Sequence, residues 1–210
     1  MKIKIFTELL VVLMVFNTVF VSAQAFYDVG ENDRYYEAVE ELNVLQVLGG
    51  YPDGSFRPYD TVTRAEMAVL VTRCLGYTTA EQTDSGFTDV PVSHWASGYI
   101  AIASGHQIVN GTGDKTFAPD LPVLYEQSVK MVIDMLGYSK MAIDNGGYPV
   151  GYITAAYRTG ILDNIARVQV GMEMTRGEIA VLLANAIDIP TGEASFLESG
   201  TTLRNRFFNA

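Results

Sequence analysis

The sequence predicts a mostly α-helical domain in which three helix-turn-helix repeats pack around a shared axis with approximate threefold symmetry. Two observations lead to this prediction: the chain matches itself at fixed offsets, and each copy carries apolar residues at helical spacing. Of the 210 residues, 49% are hydrophobic and 18% are charged, which is typical of a globular chain. One helix pair cannot bury its apolar face alone, whereas three pairs can do so together.

The first residues have the pattern of a secretory signal peptide. Two lysines precede an apolar stretch from 9 to 21, and Ala23-Gln24-Ala25 supplies the small residues of a cleavage site. The alternative is a transmembrane anchor, but a spanning helix needs about 20 apolar residues. We therefore predict that residues 1–25 are removed before Phe26 and that the chain is secreted.

Internal repeats divide the rest of the chain. Residues 26–77 and 87–138 match without a gap, so that Phe26-Tyr27-Asp28-Val29 returns as Phe87-Thr88-Asp89-Val90. Residues 147–189 form a third, degenerate copy that lacks this opening, and 190–210 are left as a short tail. We call the three copies unit 1, unit 2 and unit 3.

The second helix of each unit is predicted to bury one face. The face consists of positions i, i+3, i+4, i+7 and i+8, which are apolar except for a serine at the first position of unit 2. The residues are Met67, Leu70, Val71, Cys74 and Leu75 in unit 1, Ser128, Met131, Val132, Met135 and Leu136 in unit 2, and Ile179, Leu182, Leu183, Ala186 and Ile187 in unit 3. The first helices are assigned Tyr35, Val39 and Leu42, then Trp95, Tyr99 and Ile102, then Tyr152 and Ala156. Cys74, the single cysteine, is expected to be a buried, inert thiol.

Two of the second helices begin with the same tetrapeptide pattern. Thr63 with Glu66, and Thr175 with Glu178, have the spacing of a capping box. The box does not require the intervening arginine, because a cation at the positive end of a helix dipole is mildly unfavourable. A guanidinium beside free backbone amides suits a carboxylate or phosphate, so we interpret Arg64 and Arg176 as ligand-binding residues. A solvated arginine or an ion pair is the alternative.

At this point the residues resemble a known family. The Phe-x-Asp-Val opening, the Gly-Tyr-Pro-Asp-Gly-x-Phe-x-Pro turn and the Thr-Arg-Ala-Glu box of unit 1 are similar, in this order, to the S-layer homology motif. The resemblance implies a pseudo-threefold spindle with grooves between motifs. It also implies an extracellular location at the cell wall or S-layer, and non-covalent binding of secondary cell wall polysaccharide that often carries pyruvate ketals.

The resemblance also implies site residues. Carried over position by position, it assigns polysaccharide binding to the box residues Thr63, Arg64, Thr175 and Arg176, to Trp95 in the motif's tryptophan position, and to Tyr148 in that position of unit 3. Trp95 could instead be a core residue. Unit 2 has Leu124-Tyr125-Glu126-Gln127 in place of the box, and Arg34 occupies the tryptophan position of unit 1. We therefore expect one or two working grooves rather than three.

Charge and residue spacing argue against other functions. The net charge of −10 disfavours nucleic acid or an anionic membrane as partner. The two histidines lack metal-ligand spacing, and neither a nucleotide-binding loop nor a nucleophile motif is present, so we predict a protein without cofactor, metal or enzymatic activity. Asp28, Asp53 and their equivalents are interpreted as turn residues. The remaining alternative is a structural envelope protein that self-associates or binds a protein partner, with degenerate sugar sites.

Overall fold

The computed structural model describes residues 25–165, 169–192 and 198–208, so almost all of the predicted signal peptide lies outside the described residues. Within these ranges the chain forms eight helices joined by turns and isolated bridges, which confirms the mostly helical prediction. The helices are α1 (Tyr36–Val44), α2 (Arg64–Cys74), α3 (Ser97–Gly105), α4 (Tyr125–Met135), α5 (Ser139–Asp144), α6 (Val150–Thr159), α7 (Arg176–Ile187) and α8 (Leu203–Phe208). None of these described helices has the length and apolar content needed to cross a bilayer.

The second helices of the three units, α2, α4 and α7, form the centre of the fold and contact one another in pairs. Their predicted apolar faces are buried, except that Leu70 is only partly covered. Cys74 is fully buried, and burial raises the pKa of its thiol to about 12. Both predictions, the second-helix faces and the inert cysteine, are confirmed.

The first helices interlock the units. α1 of unit 1 packs on α7 of unit 3, α3 of unit 2 packs on α2 of unit 1, and α6 of unit 3 packs on α4 of unit 2. Each outer helix therefore covers the central helix of a neighbouring unit. The apolar face of each central helix is thus buried partly by a helix of another unit, and no unit can bury its own apolar face alone.

A closed ring of backbone hydrogen bonds joins the segments that precede the central helices. Val62 N donates to Met174 O (3.0 Å), Met174 N donates to Val123 O (3.0 Å), and Val123 N donates to Val62 O (2.8 Å). Each unit thus donates to one neighbour and accepts from the other. This cyclic order is what a pseudo-threefold arrangement of the units predicts.

The predicted buried face of the first helix is wrong in unit 2. α3 buries Gly98, Ile100 and Ala103, whereas Trp95 is exposed and Tyr99 and Ile102 are only partly covered. The reason is that α3 lies directly on the preceding connection, where a Cβ at Gly98 would come within 2.1 Å of the Glu81 carbonyl oxygen. The assigned residues of the first helices in units 1 and 3 are buried as predicted.

Two short helices lie in segments that the sequence left as connections. α5 falls in the connection between units 2 and 3, and α8 falls in the tail. The tail packs on the domain: Leu203 is fully buried, and Gly192 N donates to Leu136 O (2.7 Å). Arg204 forms ion pairs with Glu41 of α1 and with Asp188. The described part of the tail therefore contacts all three units.

The aspartates of the repeated opening brace turns, as expected. Asp28 accepts from the backbone N–H groups of Phe56 and Arg57, both at 2.7 Å. Asp89 accepts in the same way from Phe117 (2.8 Å) and Ala118 (2.7 Å). These contacts fix the turns in front of α2 and α4, and the same turns supply backbone carbonyls to the sites described next.

Candidate functional site

Three grooves run along the surfaces between the units. Groove A, of about 210 Å³, includes Gly49, Glu66, Arg73, Trp95 and Arg176. Groove B, of about 550 Å³, includes Arg64, Asn110, Gln127, Lys130 and Tyr148. Groove C, of about 490 Å³, includes Arg34, Glu37, Glu41, Asn185 and Asp188.

Grooves A and B are built in the same way. In each, one unit supplies the box arginine, the next unit supplies the turn, and the remaining unit supplies an aromatic residue. The structure therefore brings Arg176 together with Trp95, and Arg64 together with Tyr148. Four of the six predicted site residues therefore form two pairs, each with one arginine and one aromatic residue, as the resemblance implied.

The two remaining site residues, Thr63 and Thr175, act as helix caps. Thr63 Oγ1 accepts from Glu66 N (3.2 Å), and Glu66 Oε2 accepts from Thr63 N (2.7 Å). Thr175 and Glu178 form the same pair of bonds at 3.4 and 3.2 Å. Both hydroxyl groups are thus engaged by the first turn of the helix, which is the capping-box geometry that the spacing predicted.

Arg64 forms the buried floor of groove B. Its side chain is 5% exposed, with Nε donating to Phe117 O (2.8 Å), Nη1 to Gln127 Oε1 (3.0 Å) and Nη2 to Asn110 O (3.1 Å). The guanidinium also lies 4.6 Å from the ring centroid of Phe117. Burial lowers the pKa of Arg64, yet a guanidinium stays protonated at any physiological pH.

These contacts correct one step of the sequence argument. The capping box does not need an arginine, but Arg64 joins unit 1 to two backbone carbonyls of unit 2 and therefore contributes to the fold. The sequence offered no signal for this role, because the acceptors are backbone atoms of a turn more than 40 residues away.

Arg176 occupies the equivalent position in groove A but is more accessible. Its Nε donates to Phe56 O (2.8 Å) and its Nη2 to Gly49 O (2.9 Å). Its guanidinium lies 4.6 Å from the Phe56 ring centroid and 5.0 Å from that of Tyr51. Since the carbonyls come from the same turn positions that hold Arg64, the two arginines are equivalent in geometry and differ in exposure.

The two aromatic residues present open faces to solvent. Trp95 is 56% exposed and stacks on His94, with ring centroids 5.8 Å apart. Tyr148 is 49% exposed and packs edge-on against Tyr152. The alternative in which Trp95 is a core residue is therefore wrong.

Groove C differs from grooves A and B at the positions of the arginine and of the aromatic residue. Tyr125 takes the arginine's place in the box and is 3% exposed. The carbonyl of Asp163, at the turn position that holds the arginine in the other grooves, accepts instead from Asn185 Nδ2 (2.7 Å). Arg34, in the aromatic position, donates to Asn164 O (3.4 Å). Sequence reasoning missed Asn185, although the third repeat places it where unit 1 has Arg73.

Charge separates the three grooves. The described lining of groove B holds two cations, Arg64 and Lys130, and no carboxylate, although Lys130 forms an ion pair with Asp134 behind the lining. Groove A holds Arg176 and Arg73 beside one carboxylate, which belongs to the capping box. Groove C is lined by one arginine and four carboxylates, from Glu37, Glu41, Asp163 and Asp188, of which Glu41 and Asp188 form ion pairs with Arg204 of the tail. An anion is therefore favoured in grooves A and B and disfavoured in groove C.

Comparison with known families agrees with this geometry. The family model described as the S-layer homology domain matches residues 25–68 and 86–127. The chain carries S-layer homology domains. The two matched segments contain the Phe-x-Asp-Val opening, the turn and the start of the central helix of units 1 and 2, so they include the Arg64 side of groove B and the turn carbonyl that binds Arg176.

Several surface proteins are relatives of this chain. A cell surface protein of Thermoanaerobacter kivui is 31% identical over 175 residues, covering 81% of this chain and 22% of that protein. The middle cell wall protein of Brevibacillus brevis is 33% identical over 172 residues, covering 80% and 16%. The cellulosome-anchoring protein of Acetivibrio thermocellus is 38% identical over 79 residues, covering 35% and 17%.

The chain thus spans only about a fifth of the length of these relatives. The family match and the relatives confirm the predicted extracellular location at the cell wall or S-layer. They also support a role in cell-wall anchoring.

Proposed function

We propose that the chain attaches non-covalently to the cell wall by binding an anionic secondary cell wall polysaccharide in grooves A and B. The observation that carries this proposal is groove B, where a buried guanidinium lies beside an exposed aromatic ring and the described lining holds no carboxylate. A guanidinium in a poorly hydrated groove forms stronger charge-assisted hydrogen bonds than one in water. The groove therefore suits a sugar residue that bears a negative charge.

Each side chain has a defined task in this proposal. Arg64 uses three of its N–H directions on protein acceptors, and a guanidinium has five N–H donors. The remaining donors are available to a carboxylate of the polymer. The exposed faces of Tyr148 and Trp95 supply apolar area for a sugar ring. The family resemblance implies that the carboxylate belongs to a pyruvate ketal.

Groove C has no part in polymer binding in this proposal. Its lining is acidic, and Asn185 Nδ2 already donates to Asp163 O, the carbonyl at the position that binds the arginine in the other grooves. The function that we propose needs only two grooves.

A second candidate function is favoured by one observation. Tyr59, Leu121 and Met172 are large, exposed side chains in the segments that precede the central helices. Exposed apolar groups of this kind are found where a protein partner binds. Binding to a protein of the envelope, or to a second copy of the chain, is therefore the runner-up.

Sedimentation with purified cell walls tests the proposal. Arg64→Gln and Arg176→Gln should each weaken binding by about 2–5 kcal/mol in their own groove, and the double variant should stay in the supernatant. Arg34→Gln is the matched control, since it removes the same charge from groove C and should bind normally. Tyr125→Phe should also bind normally. Unchanged pelleting of the double variant would refute the proposal.

Two further arms of the experiment complete the design. Because Arg64 joins two units, Tyr148→Ala and Trp95→Ala test grooves B and A through exposed residues whose loss should leave the fold intact. Walls stripped of their secondary polymer should not retain the wild-type chain. Retention by stripped walls would favour the runner-up, binding to a protein or to another wall component.

A further inference from the structure

Groove A contains a polar atom that the protein leaves without a partner. The Nε atom of Arg73 is buried and has no hydrogen-bond acceptor, and among the described residues it is the one buried side-chain nitrogen or oxygen in this condition. Its Nη1 lies 3.5 Å from Val47 O, which is a long contact. Arg73 lines groove A together with Arg176 and Trp95.

The same helix position is satisfied in the other two units. In unit 2 it is Asp134, which accepts from Lys130 Nζ (2.5 Å) and from Ser139 Oγ (2.7 Å). In unit 3 it is Asn185, whose Nδ2 donates to Ile161 O (2.9 Å) and Asp163 O (2.7 Å). Arg73 alone among the three keeps a buried donor open. Since buried polar groups in native proteins are hydrogen-bonded, the missing acceptor is expected from a bound molecule.

We propose that groove A holds the anionic group of its sugar between two guanidinium groups, with Arg73 Nε donating to that group opposite Arg176. This inference rests on the proposed function and assigns a specificity-determining residue to one of its two grooves. Groove B uses Arg64 together with Lys130, and the charge of Lys130 is already neutralised by Asp134. A guanidinium matches a planar carboxylate through two parallel bonds, whereas an ammonium acts as a point charge. Groove A therefore binds the carboxylated sugar more tightly than groove B.

The single tryptophan of the chain allows groove A to be observed separately. Trp95 lies in this groove, so its fluorescence reports binding there and not in groove B. The probe is the soluble anionic polysaccharide released from purified cell walls, titrated into the whole chain. Arg73→Gln should raise the concentration for half-maximal response by a factor of about 10 to 100. Arg73→Lys, which keeps the charge but lacks the Nε donor, should be weakened at least about tenfold.

A second measurement separates a ligand contact from an effect on the fold. In the Arg176→Gln background, wall pelleting depends on groove B, so adding Arg73→Gln should leave it unchanged. A loss of binding there would show that Arg73 acts through the fold and would overturn the inference.

The outcomes also separate the inference from the proposed function. A Trp95 response that Arg176→Gln abolishes and Arg73→Gln leaves intact would overturn the inference alone. Absence of any response in the wild-type chain, with pelleting insensitive to both box arginines, would overturn the proposed function together with the inference.

Discussion

Replacing Arg64 by methionine should destabilise the protein considerably, although a capping box needs no arginine. Methionine keeps the aliphatic length and removes three hydrogen bonds, to Phe117 O, Gln127 Oε1 and Asn110 O. Bonds from a charged donor contribute about 1.5–3 kcal/mol each, but the native state already carries the cost of burying the guanidinium. We therefore expect a net loss of about 2–4 kcal/mol in the free energy of unfolding, well below the sum.

The corresponding variant in groove A, Arg176→Met, is the comparison that tests this explanation. Arg176→Met removes two carbonyl contacts from a side chain that is only partly buried, so it should cost about 1–2 kcal/mol. Urea melts followed by circular dichroism measure both variants. For a domain of this size, about 3 kcal/mol lowers the melting temperature by roughly 6–12 °C. The reasoning is refuted if Arg64→Met melts like wild type, or if Arg176→Met loses more stability than Arg64→Met.

Other predictions follow from the same contacts. Thr63→Ala should lower the free energy of unfolding by about 1 kcal/mol, because the N-cap bond to Glu66 N is lost, and a wild-type urea midpoint would contradict this. Leu203→Ala should cost about 2–5 kcal/mol in the same melts, since its side chain is fully buried; a cost below about 1 kcal/mol would mean that the tail is not part of the core. Cys74, with its thiol pKa raised to about 12, should react with Ellman's reagent slowly in the native state and rapidly in urea, and fast native labelling would contradict its burial. Burial raises the pKa of Asp89, but the N–H groups of Phe117 and Ala118 outweigh it and hold that pKa below its usual value. A lowered carboxyl pKa stabilises the fold above the unfolded-state value of about 3.9, and this is lost as pH falls through the folded-state value. The difference in melting temperature between wild type and Asp89→Asn should therefore shrink as the pH falls from 7 through the folded-state pKa of Asp89, and a difference that does not change with pH would refute this assignment.

The sequence predicted the parts of the fold that depend on local pattern. The apolar spacing of α2, α4 and α7 identified their buried faces, and the Thr63 and Thr175 boxes identified two helix starts. These succeed because periodicity and capping are properties of a few consecutive residues. The interlocking of each first helix with a neighbouring unit is not local, and no periodicity within one repeat specifies it.

The sequence named residues that line grooves A and B, but it did not predict how the fold holds them. Arg64 and Arg176 were named from the box, and the resemblance added Trp95 and Tyr148; all four line grooves A and B. The anchoring of the arginines could not be predicted, because Asn110 O and Phe117 O are backbone acceptors that any residue would supply. The hydrogen bond of Asn185 to Asp163 O in groove C could not be predicted either, since an asparagine on a helix has no fixed role until its neighbours are known. The short helices α5 and α8 were not predicted, because fewer than two helical turns are too few to show a helical period of apolar residues.

The most direct test of the account is the number of polymer fragments that one chain binds. A short anionic oligosaccharide prepared from the wall polymer, titrated by isothermal calorimetry, should bind the wild-type chain at two sites. Arg64→Gln and Arg176→Gln should each retain one site, the double variant none, and Arg34→Gln both. Binding that persists in the double variant, or a third site lost in Arg34→Gln, would contradict the assignment of polysaccharide binding to grooves A and B.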